Sequence, residues 1–468
     1  MTKTYDLAVV GGGAAAFAAS IKAADLGATV AMIEKGALGG TCVNVGCVPT
    51  KFLLTAGDKW YSAKNHAVHG LEIEPKRLDF ARLMAQKDEM VLGQRQAKYS
   101  DVLDGLDSVE LIQGHALFLS DHELSVDGNG TVKADKFVVA TGSSAQIVKI
   151  QGLEDVDYLT NIEALELKEL PRSMIVLGGR AVGLEFGQIF SRFGSRVTIL
   201  QRSERIIPEE EPEISDALRR YLEDEGTSIE TGVGLESVRK DGDDIVVTAT
   251  VGGNSREFRA EKLLVATGRR PNTTELGLEK TGVELDAHGA IKVNDELQTT
   301  AANIWAAGDV IGEPMLETVA AKEGSIASHN ALNGAKKKTD FSAVPHAVFT
   351  VPQAASVGLT DKQANEMGIK CKCRTLEMSM VPKALIALDT RGLIKMVTEA
   401  DSGRILGVHI LSPIASELIH EATLAVKFKL TIDDIIDTVH IFPAVSEAIK
   451  LVAQSFKRDI GKMSCCIE

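Results

Sequence analysis

A glycine-rich turn set between two apolar runs occurs twice in this chain. In the first copy, Tyr5-Asp-Leu-Ala-Val-Val10 reads as a buried strand, Gly11-x-Gly13-x-x-Ala16 opens a helix that runs to about Leu26, and Thr29 to Ile33 forms a second strand closed by Glu34. Glycines at this spacing permit a tight turn and let the backbone approach a pyrophosphate. The helix N-terminus supplies free N–H donors and the positive end of its dipole, and an acid about 20 residues on holds a ribose hydroxyl. In the second copy, strand Met174 to Leu177 leads into Gly178-Gly-Arg-Ala-Val-Gly183, a helix through Phe193 and strand Arg196 to Leu200. Here Arg180 takes the third position of the fingerprint, Gln201 stands where the acid should be, and Arg202 and Arg205 follow. A 2′-phosphate would meet cations in place of a repelling carboxylate, which favours NADPH over NADH. Two such units imply two bound nucleotides, one more than a simple dehydrogenase needs.

Three further runs, Phe137-Val-Val-Ala-Thr-Gly142, Leu263-Leu-Val-Ala-Thr-Gly268 and Ile304-Trp-Ala-Ala-Gly-Asp309, read as parallel strands ending in turns. From Val344 on, strand-like alternation (Gly392 to Val397, Ile405 to Leu411) mixes with two helices, Ser416 to Lys427 and Val445 to Phe456. The expected class is α/β, with two Rossmann-like dinucleotide-binding domains and a C-terminal α+β domain. Boundaries near 146, 271 and 343 divide the chain into 1–145, 146–271, 272–343 and 344–468, and 468 residues give room for about three domains. A net charge of -14 gives no footprint for nucleic acid or an anionic membrane. The longest apolar run, Leu7 to Ala19, is shorter than the ~20 residues of a span and is interrupted by glycines. Asp6 and the lack of a basic lead-in argue against a signal peptide, so a cytoplasmic location is expected.

The six cysteines fall in three close pairs: Cys42/Cys47, Cys371/Cys373 and Cys465/Cys466. The first sits in Gly39-Gly-Thr-Cys-Val-Asn-Val-Gly-Cys-Val-Pro-Thr-Lys51, where Pro49 suits a first helical turn and puts Cys47 at a helix N-terminus that stabilises its thiolate. Paired cysteines also suit zinc, but no second pair with a nearby histidine stands at zinc-ribbon spacing. Cys371 and Cys373 share one face of an expected strand and read as incidental strand residues.

The Gly-Gly-Thr-Cys-x-Asn-x-Gly-Cys-x-Pro-Thr-Lys segment resembles the signature of the flavin disulfide reductases. The likeness extends along the chain through Ala140-Thr-Gly142, Ala266-Thr-Gly-Arg-Arg-Pro-Asn272, Ala307-Gly-Asp309 and Phe349-Thr-Val-Pro352. The resemblance implies FAD on the first unit, touched by Gly11, Gly13, Ala16, Glu34, Thr41, Lys51, Ala116, Thr141, Gly142 and Asp309. It implies NADPH on the second, held by Gly178, Gly183, Arg202 and Arg205. It makes Cys47 the thiolate against the flavin, Cys42 its redox partner, and Lys51 the partner of Glu185. It also makes residues 344–468 a dimerisation domain, with active sites shared across a homodimer.

Where reductases of organic disulfides in this family carry a His-Pro whose histidine protonates the departing thiolate, this chain reads His440-Ile-Phe442-Pro-Ala-Val-Ser-Glu447. Phenylalanine cannot shuttle a proton, whereas a metal ion that accepts electrons directly has no such need. Together with the terminal Ser-Cys465-Cys466, whose vicinal thiols suit a soft metal, this resembles the mercuric reductase branch. The branch implies reduction of Hg(II) to Hg(0), with Hg(II) arriving as thiol complexes and Cys42, Cys47, Cys465 and Cys466 as its ligands. Gln96-Ala-Lys-Tyr99 resembles that branch's tyrosine segment, which assigns Tyr99 to the inner mercury site. Ala444-Val445 stand where many of the branch have a second tyrosine. The rival readings are a thioredoxin- or glutathione-reductase-like NADPH disulfide reductase and a flavin-containing protein that sequesters soft metals without turnover.

Overall fold

The computed structural model describes residues 4–462. Its first sheet is built around the strand Thr4–Val10, which pairs in parallel with Val30–Glu34 on one side and Gly130–Val139 on the other. Val109–Gln113 extends the sheet beyond Val30–Glu34, and Ile304–Ala306 returns from far along the chain to pair in parallel with Gly130–Val139. A second sheet, all parallel, runs Ser228–Glu230, Arg196–Leu200, Ser173–Leu177, Lys262–Val265. Every residue of Ser173–Leu177 is buried, as expected of a strand covered on both faces. A three-stranded antiparallel sheet, Gly234–Asp241, Asp244–Val251 and Asn254–Ala260, packs beside it through a shared core that includes Ile175, Leu177 and Val247. The last sheet has five antiparallel strands, from His346–Val348 to Cys371–Glu377, with the helix Ala415–Lys427 packed on it.

Small side chains set the close packing behind the first sheet. The helix Ala14–Asp25 lies against Glu317–Asn333 through Ala15, Ala16, Ala19 and Ala23 on one side and Ala320, Ala327 and Ala331 on the other. A Cβ at Gly324 would lie 2.0 Å from the Ala15 carbonyl oxygen, so the two backbones touch where only glycine fits. This contact fixes the start of Glu317–Asn333 beside the glycine turn at residues 11–13. Ala16, expected at the cofactor, is buried in this helix contact and supports the turn from behind. Among the described residues no helix is long and apolar enough to cross a membrane.

Candidate active site

A cleft of about 620 Å³ opens along the carboxyl ends of the first sheet's parallel strands. That lies within the ~300–1,000 Å³ usual for small-molecule sites, at the place where open α/β sheets bind ligands. Of the residues the sequence assigned to the first nucleotide, Gly11, Gly13, Glu34, Thr41, Ala116, Thr141, Gly142 and Asp309 line it, and so does Cys42. Gly11 has φ +127°, and a Cβ there would lie 2.3 Å from the Ala140 carbonyl oxygen. Gly13 caps the helix Ala14–Asp25, whose first turn holds no acid and makes no side-chain cap, so its leading N–H groups face the cleft free for an anion. Glu34 is braced by the Gly36 N–H at 2.6 Å. These groups have the chemistry of a dinucleotide site.

At the second unit, Gly178 has φ +113°, and a Cβ at Gly183 would lie 1.9 Å from the Gly178 carbonyl oxygen, so helix Ala181–Phe193 closes directly on the turn. Gln201 turns inward: its Oε1 accepts the Gly179 N–H at 2.9 Å and its Nε2 donates to the Arg205 carbonyl at 3.3 Å. Gln201 therefore closes the loop instead of offering an acceptor to a ribose. Arg202 stays exposed, and the Arg205 Nε is buried without a partner, an orphaned donor that suits an oxyanion.

The Cys42 and Cys47 thiols sit on consecutive helices, Cys42 in Gly40–Val45 and Cys47 as first residue of Cys47–Asn65. Both are free thiols. Cys42 donates to Cys47, and that hydrogen bond with burial drives the Cys42 thiol upward. The same bond, supported by the Lys51 ammonium, pulls Cys47 down to about 7 against burial and the charges of Glu185 and Glu317. Lys51 Nζ lies 2.8 Å from Glu185 Oε2, and Glu185, 3 % exposed, also accepts the Phe349 N–H at 3.0 Å. Tyr99, in a short π-helical turn, packs edge-on against Phe17 with ring centres 4.8 Å apart. Burial, then the charges of Cys42, Glu317 and Cys47, raises its phenol. Tyr99 is thus brought to the dithiol.

Two site residues carried no spacing signal of their own. Glu317 opens its helix at the cleft edge and is felt by Cys42, Cys47 and Tyr99. Arg269 donates to Ser143 at its hydroxyl and its carbonyl, both 2.7 Å, and stands 3.8 Å from Asp309, to which Ser143 also donates. Arg269 lay inside the Ala266 to Asn272 motif, which is the signal that could have found it.

Phe442 is half-exposed beside Pro443. Its neighbour His440 does not take over the missing acid's place, because Nδ1 is held by the Thr438 carbonyl at 2.9 Å and Nε2 by Glu421 at 2.8 Å. Glu447 keeps one carboxylate oxygen buried without a partner, and burial raises its carboxyl. Cys371 and Cys373 lie on the edge strand Cys371–Glu377 against a small apolar cluster, where burial pushes Cys373 up to about 12, the state of an inert thiol. Cys465 and Cys466 lie outside the described residues. Among the described residues no group of three or more His, Cys, Asp or Glu side chains is arranged to hold a metal ion.

Residues 5–324 match the family model for pyridine nucleotide-disulphide oxidoreductases, and residues 344–453 match that family's dimerisation domain. The chain is 43% identical over 467 residues to a mercuric reductase of Streptomyces lividans, covering 99% of this chain and 98% of that one. A mercuric reductase of Bacillus cereus is 42% identical over 462 residues, 99% of this chain and 73% of its own length. Among solved structures, the HOCl-induced flavoprotein disulfide reductase RclA from Escherichia coli, in its Cu(II) complex, superposes with a TM-score of 0.88 at 30% identity, covering 97% of this chain and all of that one.

Proposed function

Since the chain belongs to the pyridine nucleotide-disulphide oxidoreductase family, whose cofactors are flavin and pyridine nucleotide, we propose that it reduces Hg(II) to volatile Hg(0) with NADPH, through FAD and the Cys42, Cys47 dithiol. One observation carries the reading: a complete dithiol site stands in a chain whose family histidine is Phe442, with His440 engaged elsewhere. The name shared by relatives at 38% to 43% identity supports it. FAD, when bound, relays the electrons of NADPH to the thiols and the metal. The Gly11 to Gly13 turn and the helix behind it hold the pyrophosphate, Glu34 the ribose, and Asp309 with Thr41, Ala116, Thr141 and Gly142 line the rest. At the second unit the Gly178 turn, onto which Gly183 lets the helix close, would admit the nucleotide's pyrophosphate, and Arg202 and Arg205 would pair with its 2′-phosphate.

Cys47 enters each cycle as the thiolate, with Cys42 holding the proton and Lys51, anchored by Glu185, fixing a positive charge beside both. Hg(II) is the substrate. It arrives as a thiol complex on Cys465 and Cys466 of the partner subunit and passes to Cys42 and Cys47 by thiolate exchange, one Hg–S bond forming as another breaks. Tyr99 walls the inner site. The reading makes the protein a cytoplasmic homodimer, divided into domains near residues 146, 271 and 343. The test offers Hg(II) in excess small thiol to the purified yellow protein, follows NADPH oxidation and traps volatile mercury. One Hg(0) per NADPH is the expected result. No Hg(0), with brisk NADPH use on a small or protein disulfide, would make the protein a disulfide reductase like its structural neighbour.

A further inference from the structure

The segment that carries Arg202 and Arg205 ends in Glu209-Glu210-Glu211, just before the helix Pro212–Asp224, and two of these acids are driven into the C-terminal sheet. Glu210 accepts from His346 at 2.6 Å on one oxygen and from the Ser356 hydroxyl on the other. Glu211 accepts from Lys395 at 2.9 Å and from the Asp361 amide at 2.7 Å. Lys395 also reaches Glu213 at 3.0 Å and Asp361 at 3.1 Å. His409, 1 % exposed, places Nδ1 3.0 Å from Ser356 Oγ and Nε2 3.2 Å from the Leu359 carbonyl, with Glu210 and Glu211 3.7 and 3.9 Å away.

Ser356 gives its hydroxyl proton to Glu210, and the His409 ring spans from Ser356 Oγ to the Leu359 carbonyl, so it ties the Glu210 contact into the sheet. Burial opposes the charge on His346, but the hydrogen bond and charge of Glu210 outweigh it and raise the imidazole. Four carboxylates, Glu210, Glu211, Glu213 and Asp361, thus face one ammonium and the imidazolium of His346. Glu213 and Asp361 keep access to water, whereas Glu210 and Glu211 are buried, so these two buried carboxylates depend on His346 and Lys395 for their countercharges. The other charged or titratable groups at the cluster are Glu209, which faces His346 and pairs with Arg180 at 3.5 Å, and Cys373, which faces Lys395 and Asp361. At its other end the segment is pinned to the second glycine turn, the Ile207 N–H donating to the Gly179 carbonyl at 2.9 Å. Between the two anchors Ile207 is held at φ +34°, a left-handed conformation that a β-branched residue adopts only when both sides enforce it.

We propose that this cluster is a latch by which the C-terminal sheet positions the Arg202 to Glu211 segment for a 2′-phosphate, and that it loosens as His346 loses its proton. The proposal rests on the reading that the second unit binds NADPH. Glu210, His346 and His409 are positioning residues, since they act through the segment and touch no substrate. The test titrates the flavin-loaded protein calorimetrically with 2′,5′-ADP, using 5′-AMP as the control without the 2′-phosphate. The range runs from about pH 7 to about pH 9, above the second ionisation of a phosphate ester near 6. Wild-type affinity for 2′,5′-ADP is expected to fall roughly fivefold across it, the low end of couplings between sites, with 5′-AMP nearly unchanged. His346→Gln, which keeps an N–H donor but no charge, should bind more weakly at pH 7 and lose the slope, raising KM for NADPH while kcat holds. A flat wild-type profile, or a variant that keeps the wild-type slope, overturns the latch. Wild type that prefers 2′,5′-ADP no more than 5′-AMP overturns the NADPH reading itself. Should His346→Gln fail to fold, the wild-type profile and Glu210→Gln decide the matter in the same way.

Discussion

One hydrogen bond and one ammonium set the Cys42 and Cys47 thiols apart. Both cysteines share a short segment, yet Cys42 is pushed up as the donor and Cys47 is pulled down to about 7 as the acceptor at a helix N-terminus beside Lys51. Because Cys47 is depressed, its thiolate persists at neutral pH and is lost as pH falls below about 7. Alkylation of Cys47 by iodoacetamide in the reduced protein should therefore rise through about pH 7. In Cys42→Ala that transition should move up toward the ~8.5 of an ordinary thiol, as followed by mass spectrometry of the Cys47 peptide. The position of Cys47 was legible because helix start signals are local: Pro49 follows it by two residues. The influence of Glu317 on the same thiols was not legible, since nothing in the sequence near Cys42 announces an acid from a distant helix.

Elements meet in this fold where side chains are absent. Gly183 lets the helix Ala181–Phe193 close on the Gly178 carbonyl, and a methyl there would sit at 1.9 Å. Gly183→Ala should abolish NADPH-dependent flavin reduction while flavin stays bound, which stopped-flow reduction and the visible spectrum of the purified protein would separate. The helix Glu317–Asn333 buries Glu323, whose carboxylate accepts the Gly308 N–H at 2.8 Å and is raised to about 7 by burial, the Asp309 charge adding to it. A raised carboxyl stabilises the fold while protonated, so this contribution is lost as pH climbs from the unfolded value through about 7. Glu323→Gln keeps the acceptor and removes the charge, and should stabilise the protein by on the order of 2 kcal/mol above neutral pH in urea titrations, with little effect in acid. The glycine turns were visible in the sequence as fingerprints. The buried Glu323 was not, because an acid within a helix carries no mark of the face it will present.

Over the described residues, the most exposed apolar side chains lie in the C-terminal domain. Phe428 is 68 % exposed, Val439 86 % and Ile441 75 %, in a region that matches the family's dimerisation domain. Patches of this kind mark interfaces. Val439→Glu with Ile441→Glu should yield monomers by sedimentation velocity and lose at least about tenfold in Hg(II) turnover, while each monomer keeps its flavin; a dimer of unchanged mass and activity would place the interface elsewhere.

The sequence by itself determined the two nucleotide units, the dithiol at a helix start and the absence of a proton donor at Phe442. Each is written in a stretch short enough that spacing alone specifies it, since turn, helix cap and strand are local structures. It was the tertiary structure that seated Ile304–Ala306 beside Gly130–Val139 and brought Glu317 to the thiols. The same folding turned Gln201 into its own loop and drove Glu210 and Glu211 among His346, Ser356, Lys395 and His409. Those arrangements join residues separated by a hundred positions or more in several cases, and the energy that selects them, burial of charge with a matching partner, has no period along the chain for a reader to find.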